Sequence, residues 1–404
     1  MTIAKFEHVK ISGLEIVVPE REICIYDEAE YYGGSVKKID RMRKMVGFYK
    51  RRVAEKDNTP LDFAYNAANN LLDKMNIDRS SIDALIYVVQ KPDWGGPVNS
   101  YFLHHKLGLS KNCIASDVVQ GCAGWVFGLY MASQMIESKA HKKILLLNGD
   151  TPSVGINPAD RNSAPIFGDG GCATLLEYYD KEIDSYYNID TIGEGYDALI
   201  APFSACRFGV DVLDDGDFNL LQTLRKERIT LPTGNTQPLL ANYMDGLRVF
   251  DFTIKVVPET IKTLLKSTGK TADDIGVLAL HQANKQIVQA VGQGAEFDLD
   301  KVPYDAFENY GNNTMCSIPT TLSLVDKSVF DKETCVCGFG NGLISAAAIL
   351  NLKDTYIGEI KTFKKPEYVM SREEYIDYWR KKMNGESAET EAESAHSNDL
   401  RGGG

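Results

Sequence analysis

The sequence repeats its own rhythm, and that repetition restricts the fold more than any other feature. A helical stretch over residues 62–78, with Phe63, Ala64, Ala67, Leu71 and Leu72 at helical spacing, leads into an apolar run from Ser81 to Gln90. Far downstream a helical stretch over 256–269, carrying Val256, Ile261, Leu264 and Leu265, leads into a second run from Asp274 to Gln282. From Ile82 it is 40 residues to Cys122 and 61 to a strand opening at Lys143. From Ile275 it is 37 to Asn312 and 59 to a strand opening at Thr334. Each series closes on a Gly-rich turn and an apolar strand, over 167–176 and 339–349. Alternating strands and helices of this kind predict a layered α/β fold built from two duplicated halves. A pseudo-twofold pair brings equivalent helix starts together, which sets Cys122 opposite Asn312.

We therefore expect an N-terminal half over 1–180 and a C-terminal half over 181–355, with an irregular, acidic cap within 181–245. An extension over 356–383 should carry a short amphipathic helix, because Ser371-Arg-Glu-Glu374 is a capping box ahead of Tyr375, Ile376 and Trp379. The small, polar and acidic residues 384–404 should be disordered.

The balance of charge and apolar content excludes several function classes. A net charge of −12 over 404 residues argues against general nucleic-acid binding. No apolar run approaches the roughly 20 residues that cross a bilayer, and the start lacks a signal-peptide core, so we read a cytosolic chain without a membrane span. The eight cysteines lack metal-site spacing and should be reduced thiols; Cys335-Val-Cys337 is too tight for a zinc pair. One region runs against the overall charge. Residues 37–52 hold eight Lys or Arg against the single acid Asp40, a pattern that suits either a solvated helix face or the docking of an acidic partner or phosphate.

The chemistry centres on residues 112–136, which read as strand, sharp turn and buried helix. Gly121 and Gly124 flank Cys122 at the start of an apolar helix, where unpaired N–H groups and the positive dipole end favour a thiolate. His281 and Asn284 stand at a strand end in His281-Gln-Ala-Asn284, and Asn312 stands in Tyr310-Gly-Asn-Asn-Thr. Singly, each has an ordinary structural explanation: a small core thiol, a satisfied core imidazole, a helix cap or turn. Jointly, a cysteine with neutral His and Asn donors suits formation of a thioester and stabilisation of an enolate beside it.

These residues also carry a resemblance. Asp117-Val-x-x-x-Cys122-Ala-Gly, His281-Gln-Ala-Asn284, Tyr310-Gly-Asn312 and Gly338-Phe-Gly-x-Gly342 resemble β-ketoacyl-acyl-carrier-protein synthase III, the initiating condensing-enzyme branch of the thiolase superfamily. Further matches, including Asp160-Arg161, Phe167-Gly-Asp-Gly170 and Met244-Asp-Gly246, extend the resemblance over roughly residues 8–352. It implies a five-layered αβαβα thiolase-like fold, a homodimer, and Cys122, His281 and Asn312 as catalytic residues. It implies an oxyanion hole from the backbone N–H groups of Cys122 and Asn341, and substrate contacts from Arg161, Phe167, Met244, Gly246, Asn284 and Phe339. Acyl-CoA or the phosphopantetheine of an acyl carrier protein would be substrate, with no permanently bound cofactor. Malonyl-carrier protein would decarboxylate and attack the acyl group on Cys122, with His281 and Asn312 as donors to the enolate.

Three positions depart from the family pattern. Arg41 stands where the family stacks a Trp on CoA adenine, although the stacking partner Arg161 is retained. Gln286, with Lys285 beside it, stands where a carrier-docking Arg is usual, and Asn341 replaces a glycine. These departures point to a specialised relative and away from housekeeping acetyl-CoA priming. A degradative thiolase would need a second cysteine at Val336 and a His near Asn312. An acyltransferase to an amine or hydroxyl would need a stronger base than Asn312. A silent acyl-binding subunit would have no reason to keep Cys122, His281 and Asn312 together.

Overall fold

The computed structural model describes residues 3–154, 156, 163–203, 215–230, 236–240, 242–366 and 368–385. The duplicated rhythm becomes two sheets with matching order. In the first, Ala84–Val89 runs parallel to Lys143–Asp150, which is antiparallel to Gly170–Tyr178, which is antiparallel to Val9–Val18. In the second, Ile275–Leu280 runs parallel to Glu333–Gly340, which is antiparallel to Ile344–Leu350, which is antiparallel to Ser185–Thr191. Strands such as Ala84–Val89 and Ile344–Leu350 are buried along their whole length, as a sheet covered on both faces requires.

The helices that begin near Cys122 and Asn312 lie between the sheets. Gly124–Glu137 and Ser317–Leu324 place Trp125, Leu129, Ile318 and Leu322 in one core with Ile16, Val88 and Leu146 of the first sheet and Val277, Val336 and Ala346 of the second. Trp125 is buried, and its indole N–H donates to the Thr174 hydroxyl at 2.9 Å. Truncating it to Ala would cost about 3–5 kcal/mol. Outside the first sheet, Pro60–Lys74 packs Phe63, Ala67 and Leu71 on Leu85, Leu145 and Leu175. Outside the second, Gly246–Ser267 and Lys285–Gly294 pack Val257, Ile261 and Val288 on Leu278, Cys335 and Ile349. The result is the expected αβαβα layering.

The chain termini cross between the halves. Ala4–Phe6 pairs with Ser185–Thr191 of the second sheet, while Tyr356–Ile357 and Lys361–Thr362 pair with Val9–Val18 of the first. The edge of the first sheet away from this clasp is Ile114–Val119. The capping box at Ser371 forms as expected and opens the helix Arg372–Met383, which is anchored by Trp94 donating its indole N–H to the Tyr375 hydroxyl at 2.9 Å. The basic segment forms the helix Val36–Val46, capped by Ser35. Part of the expected cap (204–214, 231–235 and 241) and residues 386–404 of the expected disordered tail lie outside the described residues.

Candidate active site

Cys122 reaches its place through a turn that the strand end dictates. Gln120 N–H donates to the Val89 carbonyl at 3.2 Å and Gly121 N–H to the Gln120 side chain at 2.9 Å; the helix starts at Gly124. The Gly-rich turn of the other half closes over the sulfur. A Cβ on Gly340 would stand 3.4 Å from Cys122 Sγ, and one on Gly338 would stand 2.7 Å from the Ala123 Cα, so side chains there would fill the approach to the thiol. Asn341 faces Gly121 and needs no unusual backbone conformation, since the positive φ values, +151° and +158°, fall on Gly340 and Gly342.

His281 extends from the end of Ile275–Leu280, with its backbone N–H on the Cys337 carbonyl at 2.9 Å. Its ring is buried and meets Phe339, the residue before Gly340, edge to face at 5.4 Å. Nδ1 lies 2.9 Å from Ser317 Oγ and 3.2 Å from the Thr314 carbonyl. The Ser317 hydroxyl donates to that same carbonyl at 2.7 Å, so both oxygens around Nδ1 are acceptors. The proton of the neutral ring therefore sits on Nδ1, and Nε2 carries a lone pair. Burial depresses the imidazole to about 4, which keeps it neutral.

Asn312 is clamped by its backbone. Its N–H donates to the Ile166 carbonyl at 2.8 Å and its carbonyl accepts from Gly168 N–H at 3.1 Å, which sets Phe167 beside it. The approach is close enough that a Cβ on Gly168 would stand 1.9 Å from the Tyr310 carbonyl oxygen. Asn312 Oδ1 accepts from Thr314 N–H at 2.9 Å, which fixes the amide orientation and leaves Nδ2 to donate elsewhere. Gly340 thus stands against Cys122, its neighbour Phe339 against His281, and Thr314 bonds to both His281 and Asn312, which come from different segments.

The thiol itself departs from expectation. Burial, and second the charge of the nearby Asp150, push Cys122 up to about 12 against a smaller pull from its own N–H. Burial thus works against the thiolate that the helix start favours. Asp150, buried at the end of its strand, is itself raised to about 6 by burial, with the Thr314 hydroxyl among the groups that oppose the rise.

The remaining predicted residues divide. Phe339 meets the His281 ring, and Phe167 bridges to the backbone of Asn312. Asn284 uses its side-chain oxygen to cap Lys285–Gly294, accepting from Ile287 N–H at 2.9 Å. Met244 and Gly246 are exposed at the start of Gly246–Ser267, and no described contact brings them to the thiol. Arg161 lies outside the described residues. A cleft of about 480 Å³ lies elsewhere, lined by Arg21, Glu55, Phe363 and Lys365 among others. Reading the sequence missed Thr314, Ser317 and Asp150. The pattern Asn312-x-Thr-x-x-Ser317, hydroxyls at one-turn spacing after a glycine-led Asn, was the available signal.

Comparison with known proteins matches this arrangement. The N-terminal region of 3-oxoacyl-[acyl-carrier-protein (ACP)] synthase III matches residues 116–193, and its C-terminal region matches 265–352. A candidate 3-oxoacyl-[acyl-carrier-protein] synthase 3 of Campylobacter jejuni is 36% identical over 364 residues, covering 89% of this chain and 99% of the relative. A β-ketoacyl-[acyl-carrier-protein] synthase III of Clostridium tetani is 30% identical over 313 residues, covering 76% and 89%. A crystal structure of 3-oxoacyl-(acyl-carrier protein) synthase from Burkholderia xenovorans superposes with a TM-score of 0.78 at 26% identity, covering 89% of this chain and 99% of that one. With the nucleophile turn, the strand-end imidazole and the clamped carboxamide all inside the matched span, the chain belongs to the 3-oxoacyl-[acyl-carrier-protein] synthase III family of condensing enzymes.

Proposed function

We propose that the protein carries out a decarboxylative Claisen condensation between an acyl group held on Cys122 and malonyl-acyl-carrier protein, giving a 3-oxoacyl thioester. The observation that carries this reading is the fixed orientation of two side chains: His281 presents a lone pair at Nε2, and Asn312 presents donors at Nδ2.

In loading, Nε2 takes the proton of the neutral Cys122 thiol as the sulfur attacks the incoming thioester. The oxyanion is held by the backbone N–H groups of Cys122 and Asn341, and the proton passes to the departing thiolate of CoA or carrier protein. In condensation, loss of CO₂ from the malonyl group leaves an enolate, whose oxygen accepts from Asn312 Nδ2. His281 joins as a donor only when protonated, and the burial that holds it near 4 confines that state to moments when an anion faces it. The carbanion attacks the acyl carbonyl, the Cys122 thiolate leaves, and one proton taken up from solvent through His281 restores the thiol, so that the cycle consumes one proton overall. His281 is in this reading a proton carrier in both steps, a broader role than the donor suggested by the family pattern. Phe167 and Phe339 line the acyl approach, and Arg161 would contact the CoA or phosphopantetheine end.

The substitutions at Arg41, Gln286 and Asn341 support assignment to a specialised lipid or secondary-metabolite pathway. A homodimer is supported by the edge strand Ile114–Val119, whose Ile114 and Val119 are 54% and 71% exposed beside the exposed Tyr101. The Nε2 lone pair also suits transfer of the acyl group to an amine or hydroxyl, which is the second reading. Two measurements separate them. Mass spectrometry after incubation with acyl-CoA or acyl-carrier protein should show a covalent adduct on Cys122, and its absence would remove both readings. Release of CO₂ from malonyl-carrier protein by the loaded enzyme should then favour condensation over simple transfer.

A further inference from the structure

The helix Val36–Val46 is the basic exception in an acidic chain, and its charges are arranged on one face. Lys37, Arg41 and Lys44 recur at helical spacing and are exposed, while Ile39 is fully buried beneath them. Its one acid is engaged, since Asp40 accepts from the Tyr26 hydroxyl at 2.5 Å. Arg43 turns away from that face, stacking on Tyr49 at 3.9 Å and reaching Glu308 at 3.4 Å. Among the described residues no acid pairs with Lys37, Arg41 or Lys44. Cations elsewhere on the surface, such as Lys5, Arg79 and Arg248, have carboxylate partners.

The location of this face matters as much as its sign. Glu308, which holds Arg43, lies four residues before Asn312. Gly47, the cap of the helix, lies against Lys285, where a Cβ would stand 2.4 Å from the lysine Cβ; Lys285 lies four residues after His281. The helix is therefore fastened to both segments that present the polar catalytic side chains. Val36 and Met45, 55% and 46% exposed, add an apolar contact at either end.

We propose that this face docks the acidic carrier-protein domain that delivers the thioester, with Lys37, Arg41 and Lys44 meeting its carboxylates. This rests on the condensing reading given above. From Lys37 to Lys44 the helix rises about 10 Å, roughly one Debye length at physiological salt, which matches a short acidic helix. A long polyanion would instead meet the repulsion of a chain carrying −12 overall.

The test uses the full chain carrying Lys37→Glu and Lys44→Glu, leaving Arg41 in place because relatives stack on CoA there. Its melting curve should overlay that of the parent. With malonyl-loaded bacterial acyl carrier protein, kcat/KM should fall about tenfold, mostly through KM, and lose most of its dependence on salt between 50 and 400 mM. With malonyl-pantetheine, which has no protein to dock, kcat/KM should stay within twofold. An equal fall on both donors, no fall on either, or a fall confined to acyl-CoA loading would overturn the docking surface while leaving the condensing reading intact. If the parent processes neither donor, the condensing reading fails, and titration of parent and variant with the carrier protein still decides the docking. Equal affinity of the two proteins for the carrier would then overturn it.

Discussion

The two halves share a strand order but hold their candidate site residues differently. In the first half, the strand Ile114–Val119 runs straight into the nucleophile turn, so the sulfur is delivered by a rigid strand end. In the second half the short helix Asp305–Tyr310 precedes Asn312, and the carboxamide is held by backbone bonds to Ile166 and Gly168 of the first half. Cys122 is thus placed by its own half, whereas Asn312 is held across the seam. The two halves thus offer equivalent helix starts that differ in what precedes them, which is the basis for proposing one as nucleophile and the other as donor.

The largest expected effect tests that division directly. Cys122→Ala should abolish acyl loading, with turnover down ~10⁴-fold or more and no adduct by mass spectrometry. Asn312→Ala should keep loading within a few-fold while condensation falls by ~10²–10³. If Asn312→Ala lost loading as completely as Cys122→Ala, the two halves would not be chemically distinct.

The seam itself is tested by Gly168→Ala. Its Cβ would collide with the Tyr310 carbonyl, so stability should drop by ~3 kcal/mol or more in urea melts. Gly193→Ala, with open space around the added methyl, should change stability by less than ~1 kcal/mol. Equal effects would show that the contact across the seam has slack.

A third prediction concerns pH. Asp150 is raised to about 6 from 3.8, chiefly by burial, so between those values the folded state binds more protons than the unfolded state. Its contribution to stability is therefore greatest below pH ~4, falls as pH rises through ~6, and is level above. At about 1.4 kcal/mol per pH unit, the fall is at most ~3 kcal/mol. Asp150→Asn should remove this slope, read as urea midpoints from pH 4 to 7.5; parallel curves for parent and variant would remove Asp150 from the account.

The smallest effect on catalysis should come from Val119→Asp. It places a charge on the exposed edge strand and should convert a dimer to a monomer in sedimentation, with adduct formation on Cys122 changed by less than about threefold. A parent that already sediments as a monomer would discard the dimer.

How much of this was legible follows from what fixes each residue. The rhythm of apolar runs fixed the sheets, because a strand buried on both faces must be apolar throughout, as Ala84–Val89 and Ile275–Leu280 are. The turn around Cys122 was legible from its glycines, and the Ser371 cap from its acid three residues on. The upward push of burial on Cys122 was not, since local sequence shows the helix start but not the desolvation that opposes it. Nor were the partners of His281 legible. Thr314 and Ser317 meet the ring only because a turn of the second half folds back under the strand end, a contact between residues 33 and 36 positions apart. Asn284 shows that a motif residue also does structural work, its side-chain oxygen capping Lys285–Gly294.

The exchange of termini between the sheets carries a consequence for the chain's integrity. Because Ala4–Phe6 completes the distal sheet and Tyr356–Thr362 completes the proximal one, each lobe is finished only by a segment encoded at the opposite end of the polypeptide. A fragment ending near residue 180 would leave the outer side of Val9–Val18 bare, and its complement would leave bare the side of Ser185–Thr191 that faces Ala4–Phe6. Either piece expressed alone would carry an unprotected strand prone to self-association. Translation must therefore reach Tyr356–Thr362 before the proximal lobe can close, whereas the distal lobe waits on its own strands with Ala4–Phe6 already made.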